Sequence, residues 1–138
     1  MTGARRAGLV TSVCTGSLLL AASGLLRGKR ATSHWAVRDL LKNFGAQPVD
    51  ERVVTDGKVI TGAGVSAGLD FAVTVVEKLR GRGYAQMMML VGEYAPHPPI
   101  PGGTVAQTPR AISEPLKAMF DPIAVDVQRL ATSLNFPG

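Results

Sequence analysis

The single cysteine of the sequence, Cys14, lies between an apolar stretch and a stretch that favours helix. Residues 9–13 end a predicted buried strand, and the leucines and alanines of residues 18–22 predict a helix. We therefore expect Cys14 at a sharp strand-to-helix corner. Such a corner holds a nucleophilic side chain above the edge of a sheet, with the following backbone amides directed back toward it. The positive end of the helix favours the thiolate, so the pattern predicts a nucleophilic cysteine.

Two other interpretations of Cys14 stay open on composition. A lone cysteine in an apolar run is commonly a small buried hydrophobic residue. The uncharged run from Gly8 to Leu26 also has arginines on both sides, as signal peptides and membrane anchors have basic flanks. Serine, threonine and glycine residues interrupt this run, and we therefore expect no membrane segment there.

The composition is that of one domain with a substantial hydrophobic core. Its 138 residues are 46% hydrophobic and only 18% charged, which favours an α/β or α fold. The formal net charge is +5, but the basic residues are scattered from Arg5 to Arg129 and form no stripe interleaved with aromatic residues. We expect no nucleic-acid partner. One cysteine excludes an internal disulfide and fits a reducing compartment, so we expect a cytoplasmic protein.

The motifs predict neither a metal site nor a nucleotide cofactor. His34 and His97 are far apart, and no HExxH, CxxC or carboxylate-rich spacing occurs. Gly62, Gly64 and Gly68 lie between a predicted strand and a predicted helix, but their spacing is G-x-G-x-x-x-G instead of the dinucleotide-binding G-x-G-x-x-G. We expect these glycines to permit close packing of the strand against the helix.

The remaining patterns predict a mixture of strands and helices. Asp56-Gly57 between two β-rich runs is a strong hairpin signal. Ser113 is a candidate N-cap for the final helix, which is interrupted at Asp121-Pro122. The predicted elements after Cys14 are a helix over 18–22, a strand over 29–33, a helix over 36–44, strands over 49–55 and 58–61, helices over 69–79 and 84–94, a proline-rich loop over 95–103 and a helix over 113–130.

Several short motifs follow one another in a specific order. They are Ser12-Val13-Cys14-Thr15-Gly16, Gly24-Leu25-Leu26-Arg27-Gly28, Arg30-Ala31-Thr32-Ser33-His34-Trp35, Asp56-Gly57, Thr61-Gly62-Ala63-Gly64, Gly68-Leu69-Asp70-Phe71 and Glu93-Tyr94-Ala95-Pro96. Each is weak alone. The ordered set, within residues 3–110, resembles the DJ-one/PfpI superfamily and most closely its isonitrile hydratase-like branch. The resemblance strengthens the interpretation of Cys14 as a nucleophile.

The resemblance implies an α/β fold, a flavodoxin-like sandwich of the class I glutamine amidotransferase type, and a homodimer that acts on a small molecule. It implies that Cys14 attacks the terminal carbon of an isonitrile, and that water resolves the thioimidate to an N-substituted formamide, as in a hydro-lyase. A nearby carboxylic acid would supply the proton. Thr15 stands where protease-like relatives carry histidine and is expected to offer its amide or hydroxyl beside the thiol. His34 matches a histidine near the nucleophile in several members, or else it packs or caps a helix.

Two departures from the family pattern accompany the resemblance. Complete members carry a long segment before the elbow, which supplies the first strands and helices and the acidic partner of the cysteine, whereas only Met1 to Gly8 stand there in this sequence. No acidic residue matches that partner, so none is assigned. We therefore expect a fragment or truncated gene product, in which residues 1–112 form the C-terminal part of the family domain and residues 113–138 a helical tail. An elbow strand without its neighbours exposes an apolar edge.

Other functions stay open beside an isonitrile hydratase-like enzyme. One is a sensor domain of the kind that precedes helix-turn-helix segments in AraC-type regulators, although the residues after Arg110 are too few to supply a DNA reader. Another is a redox or glyoxalase-like thiol protein. A further alternative is an inactive remnant.

Overall fold

The structure is a computed structural model that describes residue 3 and residues 6–136 of the chain. Strands and α-helices follow one another along the sequence, with short 3₁₀ helices between them. In chain order the elements are β1 (Val10–Val13), α1 (Gly16–Ala22), β2 (Arg30–Ala31), a 3₁₀ helix (Arg38–Phe44), β3 (Gln47–Pro48), β4 (Val53–Asp56), β5 (Val59–Gly62), α2 (Ala67–Arg80), α3 (Arg82–Val91), a second 3₁₀ helix (Val105–Gln107), α4 (Arg110–Ala118) and α5 (Asp121–Ser133).

The main sheet of the described residues has three strands in the order β1, β5, β4. β1 and β5 run parallel, with Val13 opposite Gly62, while β4 and β5 form an antiparallel hairpin. The hairpin predicted at Asp56-Gly57 is confirmed, with its turn one residue later, because Asp56 still pairs with Val59 and Gly57 adopts a φ of +63°. The strand that ends at Cys14 is thus held by β5 on one side.

Glycine is needed at Gly62 because β5 and α2 approach closely there. A Cβ atom at Gly62 would lie 3.2 Å from Phe71 Cβ, which is tighter than ordinary van der Waals contact. At Gly64 and Gly68 an added Cβ would meet its nearest neighbour at 3.5 Å and 3.8 Å, an ordinary contact. The prediction that this glycine-rich loop permits close strand-to-helix packing is therefore confirmed at one of its three glycines.

A second, two-stranded parallel sheet joins β2 to β3 beside the 3₁₀ helix. The sequence predicted an α-helix over 36–44, whereas the structure shows a 3₁₀ helix over Arg38–Phe44 that ends at Gly45 with a φ of +74°. Leu41 and Phe44 on this helix are fully buried, so the predicted apolar face is correct although the type of helix differs. The 3₁₀ helix thus contributes Leu41 and Phe44 to the hydrophobic core.

The C-terminal helix α5 packs on the same core. Val127 and Ala131 are buried in it together with Leu41 and Phe44, and Phe136 meets the ring of Phe44 edge-on with 5.4 Å between ring centroids. The division of the chain at residues 112 and 113 stays a prediction. These contacts nevertheless fix the position of the segment that carries α5.

The predictions for the later helices differ from the structure mainly at their ends. The helix predicted over 84–94 is α3 and ends at Val91, and its Met87 and Met88 are exposed. The final helix begins earlier than predicted, because α4 starts after Pro109 and a proline is compatible with the start of a helix. Ser113 therefore lies inside α4, and its prediction as an N-cap is wrong. Among the described residues, no helix is long and apolar enough to cross a membrane.

Candidate active site

Cys14 lies at the corner between β1 and α1 with a backbone φ of +59°. This left-handed conformation is uncommon for a residue other than glycine and costs about 1–2 kcal/mol. Two carbonyl oxygens hold the corner in place, since the Cys14 N–H donates to Gly62 O at 3.0 Å and to Ala63 O at 2.7 Å. The structure thus places Cys14 at the strand-to-helix corner that the sequence predicts, with a strained backbone.

The Cys14 side chain is neither enclosed in the core nor engaged by a neighbour. The residue is half-buried, and within the described part of the chain no hydrogen bond reaches its Sγ. Thr15 follows as the exposed residue before α1, and its side chain makes no capping hydrogen bond. The Cys14 thiol and the Thr15 hydroxyl thus have no hydrogen-bond partner among the described residues.

A chain of hydroxyl groups ties the elbow to the segment after β2. The Ser12 and Ser17 hydroxyls lie 2.9 Å apart, and Ser17 Oγ donates to Thr32 O at 2.7 Å. Ser33 Oγ donates to Cys14 O at 2.8 Å. The segment after β2 therefore hydrogen-bonds both to Cys14 and to Ser17 at the start of α1. Sequence reasoning missed this network, although three hydroxyl residues adjoining predicted apolar strands could have signalled buried hydrogen bonds.

Thr32 links this network to the main sheet. Its N–H donates to Thr61 Oγ1 at 2.9 Å, and both residues are completely buried. Thr32 Oγ1 itself is buried and has no hydrogen-bond partner among the described residues. The backbone contacts of Thr32 thus connect α1, through Ser17, to β5, which also accepts the hydrogen bond from Cys14.

His34 lies one residue beyond this network, with its ring stacked on Phe120 and tilted against Trp35. The centroid of its ring is 5.2 Å from that of Phe120 and 5.6 Å from that of Trp35. Its Nδ1 accepts a long hydrogen bond from the Ala36 N–H at 3.4 Å, and burial lowers the pKa of the imidazole below 6.5. Within the described residues no hydrogen bond joins His34 to Cys14. The structure therefore brings His34 near the elbow through Ser33 and leaves it apart from the thiol.

The carboxylate of Asp70 is engaged by a tyrosine and an arginine away from Cys14. Asp70 accepts hydrogen bonds at 2.5 Å from both Tyr94 Oη and Arg52 Nε. Burial raises the pKa of the Asp70 carboxyl, but these hydrogen bonds outweigh it and the net shift is downward, while the same contact raises the pKa of Tyr94. Ser66 and the prolines of residues 96–101 line a groove of about 570 Å³ beside this cluster.

Neither a carboxylate partner for the thiol nor a metal site is found in the described residues. None of their carboxylates hydrogen-bonds to Cys14, and the acidic partner stays unassigned. Likewise, these residues contain no group of three or more histidine, cysteine, aspartate or glutamate side chains that could hold a metal ion.

The match to known proteins agrees with this geometry. A family profile described as "DJ-1/PfpI family" matches residues 1–78, which is more than half of the chain. The chain belongs to the DJ-1/PfpI family. A "THiJ/PfpI family protein" from Pseudomonas syringae has the same fold as this DJ-1/PfpI chain, with a TM-score of 0.87 and 45% sequence identity over 92% of the chain. The predicted family and its flavodoxin-like α/β fold are thereby confirmed.

Two relatives with named activities are also similar to this DJ-1/PfpI chain. An isonitrile hydratase from Pseudomonas putida is 50% identical over 136 residues, which are 96% of this chain and 60% of that enzyme. A "glutathione-independent glyoxalase" from Caenorhabditis elegans is 34% identical over 80 residues, which are 58% of this chain and 42% of that protein. The chain thus spans about half of the lengths of these relatives and 52% of the Pseudomonas syringae structure.

Proposed function

We propose that this chain carries the nucleophile of an isonitrile hydratase-like reaction, with Cys14 as the attacking residue. The observation that carries the proposal is the strained, half-buried cysteine held between β1 and α1 by two carbonyl oxygens. A nucleophile on such an elbow meets its substrate without rearranging the backbone. The 50% identity to an isonitrile hydratase supports this chemistry over other reactions of a thiol.

In the proposed reaction, the Cys14 thiolate forms a bond from Sγ to the terminal carbon of the isonitrile. That carbon takes up one proton, which gives a thioimidate. Water then adds to the same carbon, the carbon–sulfur bond breaks, and the nitrogen takes up a proton as the N-substituted formamide leaves. The thiolate is regenerated, and the net change is the addition of one water molecule. The proton donor is not assigned to any of the described residues.

Thr15 and His34 have supporting roles in this proposal. Thr15 is exposed beside the thiol, where its N–H and hydroxyl can donate to a developing negative charge. His34 accepts from the Ala36 N–H through Nδ1, which assigns the proton of the neutral ring to Nε2. With its pKa lowered by burial, the ring stays neutral at pH 7 and acts as a hydrogen-bond donor, not as a base.

A glyoxalase-like reaction is the second candidate, because a glutathione-independent glyoxalase is 34% identical over 80 residues of this chain. That reaction would place the same Cys14 thiolate on the carbonyl carbon of a 2-oxoaldehyde. The two candidates differ in the substrate that the thiol accepts.

We also propose that the protein is a homodimer and that it is cytoplasmic. Sedimentation of the purified chain measures its oligomeric state.

The test is to incubate the purified chain with an aliphatic isonitrile and, separately, with a 2-oxoaldehyde. We expect the isonitrile to produce a covalent adduct on Cys14, seen by intact-mass and peptide mass spectrometry, and only slow release of an N-substituted formamide, seen by NMR, because no acidic residue of this chain is assigned as the proton donor. Cys14→Ala should abolish both signals, and Thr11→Ser, an exposed change in β1, should keep them.

Three outcomes would contradict the proposal. Formamide production that persists in Cys14→Ala would show that the thiol is not the nucleophile. A wild-type chain with neither adduct nor formamide would reject isonitrile chemistry for this chain. Conversion of the 2-oxoaldehyde alone would favour the second candidate.

A further inference from the structure

The segment between α4 and α5 contributes an aromatic ring to the surroundings of His34. Phe120 stacks on the imidazole with an interplanar angle of 26°, and Trp35 closes the group with its ring centroid 6.3 Å from that of Phe120. Parallel contact between two rings restricts rotation of both. Phe120 is separated from His34 by more than half of the chain, so no local sequence pattern brings the two rings together.

The backbone of Phe120 is fixed from both sides. Its N–H donates to Lys117 O at 2.9 Å, and its carbonyl accepts from the Ala124 N–H at 3.1 Å. The helix that follows is anchored in the core by Val127 and Ala131, both nearly inaccessible to solvent. The backbone of Phe120 therefore cannot move away from the imidazole without moving α5 from the core.

The contacts around the imidazole distinguish its two edges. Nδ1 faces the backbone N–H of Ala36. The opposite edge faces Gly64, where an added Cβ would lie 3.5 Å from His34 Cδ2, the atom next to Nε2. Gly64 follows Ala63, whose carbonyl accepts the hydrogen bond from Cys14, so the Nε2 edge lies toward the loop that forms the elbow.

We propose that Phe120 is a positioning residue for His34, and that its stacked ring holds the imidazole with Nδ1 on Ala36 and the Nε2 edge toward the loop at Gly64. This inference rests on the proposed function only for its catalytic consequence. A 180° flip of the imidazole would exchange the positions of the nitrogen and carbon atoms and leave the Ala36 N–H without its acceptor. The stack favours the side-chain rotamer in which the ring lies on Phe120 and Nδ1 accepts from the Ala36 N–H over rotamers that leave both, so loss of the stack lowers the fraction of molecules that keep this hydrogen bond.

The experiment measures the tautomer of His34 by two-bond ¹H–¹⁵N NMR of the full chain at a pH where the ring is neutral. We expect wild type to show the proton on Nε2 and an unprotonated Nδ1, with ring hydrogens shifted by the Phe120 ring current. In Phe120→Leu the ratio of the Nε2–H to the Nδ1–H form should fall about two- to tenfold, the range expected for loss of one aromatic pair. Phe120→Tyr keeps the ring and should restore the wild-type spectrum.

Phe136→Leu is the matched control, because it removes an aromatic ring of the same C-terminal segment that packs on Phe44 instead of His34. It should leave the His34 tautomer unchanged even where it lowers the stability of the fold. Phe120→Met, a milder change in volume, gives the same test if Phe120→Leu fails to fold. An unchanged tautomer in Phe120→Leu or Phe120→Met, or an equal change in Phe136→Leu, would overturn the positioning role.

Turnover of an isonitrile separates this inference from the proposed function. We expect formamide release to fall about two- to tenfold in Phe120→Leu, in step with the tautomer, and to recover in Phe120→Tyr. A tautomer shift in Phe120→Leu with no turnover in wild type would support the positioning role and reject the proposed function. An unchanged tautomer in Phe120→Leu, together with formamide release by wild type, would reject the positioning role and support the proposed function.

Discussion

The hydroxyl of Ser33 donates a 2.8 Å hydrogen bond to the carbonyl oxygen of Cys14. This contact joins the elbow to the strand end that carries His34, across 19 positions of sequence. Because Cys14 has a left-handed backbone, its carbonyl points away from the regular ladder of β1 and needs a partner outside it. The same serine thus stabilises the strained corner and places the histidine beside it.

Removing this hydroxyl should weaken the fold and loosen the elbow. We expect Ser33→Ala to lower the free energy of unfolding by about 1–2 kcal/mol, because a buried carbonyl loses its hydrogen bond. Urea denaturation followed by circular dichroism measures this value. Ser133→Ala is the control, since that hydroxyl donates to Leu130 O on the exposed surface of α5, and it should change the stability by less than about 0.5 kcal/mol. Equal effects of the two changes would contradict the role given to Ser33.

Because the backbone at Cys14 is strained, glycine at this position should be more stable than alanine, the reverse of their order in a helix. With a φ of +59°, we expect Cys14→Gly to be about 1 kcal/mol more stable than Cys14→Ala, because only glycine adopts this conformation without a steric penalty. At Ala22, within α1, the order should be the ordinary one, and Ala22→Gly should cost about 1 kcal/mol. Thermal or urea unfolding of the three variants measures both differences. Greater stability of Cys14→Ala than of Cys14→Gly would show that the corner is not strained.

The elbow could be predicted from sequence because it depends on local signals. An apolar strand, a cysteine and a helix-forming run are contiguous, and the turn between them follows from their order. The hairpin at Gly57 and the C-terminal glycine of the 3₁₀ helix were predictable for the same reason, since each needs a positive φ. The strand before Cys14 and the helix after it could therefore be predicted from the local sequence.

The surroundings of the elbow could not be predicted in this way. The contacts of Ser33 with Cys14 and of Phe120 with His34 join residues that are distant in sequence, and no spacing rule relates them. The choice of a 3₁₀ helix over Arg38–Phe44 also depends on tertiary packing, because its buried residues Leu41 and Phe44 must reach the same core as α5. Local propensity decides the element, and packing decides its geometry.

The approach of β5 to α2 makes Gly62 sensitive to a single methyl group. We expect Gly62→Ala to destabilise the fold by about 1–3 kcal/mol, since the new Cβ would meet Phe71 Cβ at 3.2 Å and force the helix outward. Gly83→Ala in α3 is the control, because no atom lies within 4 Å of its added Cβ, and it should stabilise the helix by up to about 1 kcal/mol. Urea denaturation of both variants measures the difference. A neutral Gly62→Ala would mean that α2 is free to shift.

Burial of His34 predicts how stability depends on pH. Its folded-state pKa lies below the value of 6.5 for the unfolded chain, so the unfolded state binds the proton first as the pH falls. The contribution of neutral His34 to stability is therefore complete above pH 6.5 and is lost as the pH falls toward the folded pKa. We expect His34→Asn to flatten this part of the curve of unfolding free energy against pH. The same slope in wild type and His34→Asn would contradict the burial of the ring.

Tyr94 holds the proline-rich loop of residues 95–103 against α2 through Asp70. The tyrosine hydroxyl donates to Asp70 Oδ1, while Arg52 donates to the other carboxylate oxygen. We expect Tyr94→Phe to lower the free energy of unfolding by about 1 kcal/mol at pH 7 and to speed hydrogen exchange of the loop amides. Hydrogen exchange read by NMR, together with urea denaturation, measures the two effects.

The difference in unfolding free energy between wild type and Tyr94→Phe should depend on pH. Since its hydrogen bonds lower the folded pKa of Asp70 below 3.8, the stability that they contribute is present above that value and is lost as the pH falls through the folded pKa. The gap between wild type and Tyr94→Phe should therefore narrow below pH 3.8. Tyr84→Phe, a change on the exposed surface of α3, should match wild type at each pH. A gap of constant size down to low pH would show that the tyrosine stabilises the loop by packing alone.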